Sequence, residues 1–310
     1  MSPAESSPAT SSSNTSDLSK PNRGAILALT AGLLGWMFDG AEMGVFSLVG
    51  RPALKDLLPA GTDEARIGLF LGVITAMFLV GAATGGVLFG WLGDRIGRVR
   101  AMMLSVLCYA VFTSLCGAAN SPMQLGIMRF IASLGMGGEW SLGVALVMEV
   151  WPDRSRAFMA GLIGAAANVG YVLIGFTGLM LSSLLTRIHG WMLTAGISQE
   201  WTDHLTANNG WRLLMMIGIV PALLTFFIRM FVPESEKWQE ERSTGRTSHW
   251  ATIDLLGVLF GALGPALMVY AYASEESSVL FRIFATVLGV AIAIVGYTFP
   301  VIRYLSRLKQ

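Results

Sequence analysis

Four ionisable residues, Asp39, Glu42, Arg129 and Glu139, stand inside long apolar runs of a 310-residue chain. A charge facing hydrocarbon is expensive, so each is expected to face a protein interior or a water-filled cavity and to mark a functional path. Asp39 and Glu42 are three positions apart and share one face of a helix. Two carboxylates this close repel if both are ionised, so one of them is suited to carry a proton. The other reading is that one of them simply pairs with Arg129. Arg129 has two readings of its own: a bidentate grip on a substrate carboxylate, or an ion pair with an acid of the first run. Glu139 follows Gly135, Gly137 and Gly138, where a neighbouring backbone comes close. It reads equally as a substrate contact and as a hydrogen-bonded structural carboxylate. Trp36, Trp140, Asn168 and Tyr171 either line a pocket for a sugar-like molecule or pack helices together.

Other chemistry lacks its residue patterns. No HExxH, P-loop or nucleophile elbow occurs, so an enzyme or an ATP-driven pump is not expected within this chain. Cys108 and Cys116 fall in one apolar run and read as buried thiols. No metal and no cofactor is expected. The net charge is +1, without the basic excess that nucleic acid attracts.

The elements that must hold the four charges are membrane helices. Hydrophobic residues make up 54% of the chain and charged residues 13%, against about 25% charged in soluble domains. The mean hydropathy is +0.61. A spanning helix needs about 20 apolar residues. Eight segments supply them: 24–49, 67–92, 100–119, 122–149, 157–184, 211–232, 253–272 and 279–302. The runs do not alternate, which argues against a β-barrel. The fold class is therefore all-α integral membrane with about eight spans.

Orientation follows from Lys and Arg. With the N-terminus in the cytosol, fourteen of the 21 fall on the cytosolic side and six (Arg51, Lys55, Arg66, Arg187, Arg212 and Arg282) on the other. Both termini are thus expected inside, in the cell inner (plasma) membrane. The division expected is a disordered cytosolic tail over 1–22, a six-helix bundle over 23–232, and a partly helical cytosolic linker over 233–252. Two additional membrane helices over 253–303 and a cytosolic tail over 304–310 follow. The segment 185–210 is a long polar connection on the outer side, with His189 and His204.

Between the second and third runs stands Gly90-Trp-Leu-Gly93-Asp94-Arg95-Ile-Gly97-Arg98-Val-Arg100. It resembles the signature turn of the major facilitator superfamily. The glycines allow a tight turn, Asp94 can cap and pair, and the arginines suit an anionic inner leaflet. Three further stretches are Arg129 to Gly135-x-Gly137-Gly138-Glu139-Trp140, Glu149-x-Trp151-Pro152-x-x-x-Arg156, and Pro233-Glu234-Ser-Glu-Lys-Trp238. Together with Asp39-Gly40-x-Glu42 they resemble the sugar and metabolite:proton symporters of that superfamily, bacterial sialic acid transporters among them.

That resemblance implies a six-helix half-bundle plus two additional helices, and proton symport by alternating access. It implies a cytosolic gate, onto which Gly90, Gly93, Asp94, Arg95, Gly97, Arg98, Glu149, Arg156 and Glu234 map. It also implies a midplane site between two pseudo-symmetric halves. One half does not enclose such a site, so a second six-helix half or a homo-oligomer is an expected partner, besides the bilayer, the substrate and protons. The function expected is a secondary transporter, or half of one, for a sugar, sialic acid or small organic anion. The alternative is a truncated or regulatory membrane subunit without transport of its own.

Overall fold

In lipid every backbone N–H and C=O must find its partner within the protein, and an α-helix does this alone. The computed structural model is accordingly helical, with no strand among the described residues. It describes residues 23–150, 153–219, 252–274 and 276–308, and between them residues 223, 226, 230–232, 234 and 236–243. The helices are α1 (Arg23–Leu57), α2 (Glu64–Ile96), α3 (Arg98–Cys116), α4 (Pro122–Val150) and α5 (Asp153–Leu179). They continue with α6 (Leu181–Thr194), α7 (Gln199–Ile217), α8 (Glu236–Ser243), α9 (Thr252–Ala273) and α10 (Val279–Leu308).

Of the eight spans expected, five of these helices (α2, α3, α5, α9 and α10) are long and apolar enough to cross a membrane. At 35 and 29 residues, α1 and α4 have the length, but they carry the four internal charges. The run 211–232 begins in α7, and its described residues Ile219, Leu223, Phe226 and Met230 are helical. The tail 1–22 lies outside the described residues. Residues 304–308, expected as a tail, continue α10.

The polar segment 185–210 is helical over 185–194 and 199–206. It forms most of a hairpin of α6 and α7, pinned by His189 Nε2 against Asp203 Oδ1 at 2.7 Å. The chain then turns sharply at Asn208, Asn209 and Gly210, all at positive φ. Immediately afterwards Arg212 fastens three elements. It donates to the carbonyl oxygens of Gly117 and Ala119 beyond α3, at 3.1 and 2.8 Å, and to Asp56 of α1 at 3.1 Å.

In lipid, helices associate by close van der Waals packing, which small residues at the crossings permit. At the α2–α4 crossing, a Cβ on Gly85 would overlap the Leu134 carbonyl, and one on Gly137 would overlap that of Ala82. Gly40 and Gly170 meet the partner backbone in the same way where α1 crosses α5. Apolar clusters lie on either side of the buried charges. One holds Phe46, Leu54, Ile74, Leu125 and Trp211, and the other Phe89, Val99, Met102, Leu142 and Val232. The pair α9–α10, crossed at Gly261 and Gly296, packs against α2 through α9.

Candidate functional site

Asp39, Glu42 and Phe46 recur at helical spacing on α1, and so do Arg129, Ser133, Met136 and Trp140 on α4. The two stripes meet. Arg129 is 1% exposed, and its Nη1 donates to Glu42 Oε1. Thr113 of α3 donates to the same oxygen at 3.2 Å. The guanidinium lies between two aromatic rings, 4.3 Å from the Phe46 centroid and 4.5 Å from that of Phe78. Arg129 is thus held by an anion and two aromatic rings, an arrangement suited to a desolvated cation. Of the two readings of Arg129, the geometry has the acid of the first helix on it.

Asp39, fully buried, accepts a 2.9 Å hydrogen bond from Trp140 Nε1. Trp36 packs against Trp140 at a 40° tilt, with centroids 5.8 Å apart. The two acids of α1 therefore have different donors on α4, one ionised and one neutral. Glu139 is also fully buried. It lies one turn beyond Gly135, which abuts the α3 backbone at Ser105 and Tyr109, so it belongs to the α3 side of α4. Asn168 and Tyr171 lie on an exposed face of α5, and Tyr171 is near enough to Glu42 and Arg129 to feel both charges. Trp36, Asp39, Glu42, Arg129 and Trp140 come together, with Tyr171 at their border. Glu139 stands behind them.

The signature turn is equally specific. Asp94 and Arg98 pair at 2.7 Å across the turn between α2 and α3, and Arg95 covers the Trp91 ring at 4.1 Å. Gly97 closes α2 and opens α3 at φ 112° and ψ 147°. Glu234, arriving after the sixth run, accepts from the Val99 N–H at 3.1 Å. A carboxylate there satisfies an orphan amide at a helix N-terminus and complements the helix dipole. A Cβ on Gly93 would overlap Leu142, whereas one on Gly90 meets open space. The side chains of Glu149 and Arg156 lie outside the described residues.

Gly97→Ala is expected to destabilise the protein by about 1–3 kcal/mol, because a side chain is strained at that φ and its Cβ would strike the Glu234 carboxylate. The midpoint of thermal unfolding in detergent checks this. An unchanged midpoint would mean that Glu234 does not occupy the turn.

Phe46, Phe78 and Thr113 were missed from sequence. Thr113, a hydroxyl within an apolar run, carried some signal; the two phenylalanines carried none. Trp238, part of a quoted motif, donates to the Asp94 carbonyl at 3.0 Å and ties α8 to the turn.

A protein-family model described as sugar (and other) transporter matches residues 25–252. The cis,cis-muconate transport protein of Acinetobacter baylyi is 31% identical over 216 residues, covering 70% of this chain and 45% of that protein. The sialic acid transporter NanX of Escherichia coli is 27% identical over 215 residues, covering 69% and 45%. The chain spans just under half the length of these relatives. The solved structure of the proton:xylose symporter XylE shares the fold, with a TM-score of 0.56 at 18% identity, covering 82% of this chain and 53% of that one. On the match to 25–252, the chain belongs to the sugar and other transporter family of the major facilitator superfamily, whose members are multi-pass membrane transporters of small molecules and not enzymes.

Proposed function

We propose that this chain forms the substrate- and proton-binding part of a secondary transporter, a symporter of a small organic anion with a proton. The observation that supports this best is Arg129, buried against Glu42 between Phe46 and Phe78. An incoming carboxylate competes with Glu42 for the guanidinium. Once displaced, Glu42 has lost its cation in a site that water does not screen. A buried carboxylate in that position takes up a proton rather than remain charged. Anion and proton are then held together, and release of one favours release of the other. Asp39, on the same face of α1 and bonded to Trp140, is the acid through which the proton passes. Trp36, Asn168 and Tyr171 border the bound molecule, and Glu139 supports α4 from behind.

The relatives named for muconate and sialic acid, both carboxylates, favour an anion over a neutral sugar. The Lys and Arg distribution favours both termini in the cytosol of an inner-membrane protein. In that orientation the Asp94–Arg98 turn, with Arg95, Gly90, Gly93, Gly97 and Glu234, forms the cytosolic gate. Glu149 and Arg156 are assigned to it on the same motif grounds. A second six-helix half, or a second copy, encloses the site from the other side.

The test is uptake by proteoliposomes of the purified chain, given labelled muconate or sialic acid with and without an imposed proton gradient. The wild type accumulates the anion only with the gradient. Asp39→Asn inserts and folds but loses gradient-driven accumulation. Coupled uptake by Asp39→Asn at the wild-type rate would overturn the role of Asp39. The second reading is a membrane subunit that binds the anion and does not transport it. Binding of the anion, read by Trp36 and Trp140 fluorescence, without uptake would choose it.

A further inference from the structure

The pair α9–α10 meets α2 unevenly. At one level Tyr297 of α10 and Thr84 of α2 share a 3.0 Å hydrogen bond. Towards the α9–α10 turn the surfaces part and leave two adjoining crevices, each of about 410 Å³. The first is walled by Phe70 and Met77 of α2, Met123 and Phe130 of α4, and Val269 of α9. Pro265 and Tyr272 of α9 border the second. Among the described residues no charged side chain lines either one. An apolar cavity of this kind does not retain water, and α2 and α9 are both of membrane-spanning length and composition. A hydrocarbon chain suits it.

A charge beside the second crevice, reached through Tyr272, says which hydrocarbon. Arg282, in the first turn of α10, has its guanidinium 5.9 Å from the Tyr272 ring and donates to the Ser274 carbonyl at 3.3 Å. Its Nε is buried and has no hydrogen-bond partner among the described residues. The acid described on the same turn, Glu276, is exposed. A guanidinium one ring from an apolar slot, in the first turn of a spanning helix, complements a phosphate that carries an acyl chain.

We propose that this crevice binds one phospholipid from the leaflet on the side of the α9–α10 turn, with an acyl chain between α2, α4 and α9 and its phosphate on Arg282. The lipid then completes the packing of the additional helix pair against the transporter bundle, which the Tyr297–Thr84 bond begins.

Native mass spectrometry of the purified chain, stripped in mild detergent and titrated with dioleoylphosphatidylglycerol, tests this. One lipid is expected to remain bound where others are removed. Ala266→Trp fills the crevice and should abolish that retention. Arg282→Gln leaves the crevice wall intact, tests the site if Ala266→Trp does not fold, and should weaken retention roughly tenfold. A wild-type chain that retains no lipid, or undiminished retention by Arg282→Gln, overturns the proposal. So does a dimer in place of the lipid-bound monomer, which would assign the crevice to a second copy.

Discussion

Arg129→Leu is expected to lose about 3–5 kcal/mol of stability, because it leaves Glu42 buried without its cation. The guanidinium also fills the space between Phe46 and Phe78, so part of the loss is packing. The double variant Glu42→Leu/Arg129→Leu removes both charges. Replacing a buried pair by apolar groups of similar volume is often neutral or stabilising. It should therefore recover most of the stability lost by the single change, to within about 1–2 kcal/mol of wild type. Anion binding should stay lost in both. Denaturant unfolding in detergent and equilibrium binding of labelled muconate separate the two effects. A single variant as stable as wild type would mean that the pair is solvated. A double variant that binds the anion normally would remove Arg129 from the site.

Gly137→Ala is expected to destabilise the protein by about 3 kcal/mol, the upper part of the range for overpacking, since its Cβ would enter the Ala82 carbonyl. The backbone cannot yield as a side chain can, and Gly85 on α2 already abuts Leu134 from the other side. Gly90→Ala, on the partner helix α2, is the control. Its Cβ meets nothing within contact, so the change should fall within about 0.5 kcal/mol. The difference between the two melting temperatures measures the close approach of α2 and α4. Equal effects would show that the helices do not cross at Gly137. The crossing matters for the site because α4 carries Arg129 and Trp140, while α2 carries both Phe78 and the signature turn.

That the chain is built of apolar membrane helices, five of the eight expected runs being long and apolar enough to cross as helices, and which charges inside them demand an explanation, were legible in the sequence alone. Both are local properties: an apolar run of sufficient length has few alternatives in lipid, and the penalty on a buried charge depends little on what surrounds it until a partner is found. The turn around Gly97 was legible for a similar reason, since its glycines and the Asp94–Arg98 pair act within a few residues, whereas the Glu234 cap comes from a distant segment. Partner choice was not legible. Asp39 and Glu42 are equivalent by spacing, and the packing of α1 on α4 decides that Glu42 meets Arg129 while Asp39 meets Trp140. Phe46, Phe78 and Thr113 come from three different helices, so no spacing along the chain links them to Arg129. The hairpin over 185–210 was hidden as well, because a polar segment offers no long apolar run, and its ends are held by distant groups, Asp56 and the carbonyls beyond α3. The spans and their charges follow from what each segment is. The site follows from which segments touch, and in a membrane that is decided by close packing at a few small residues rather than by hydrophobicity, which is the same on every side.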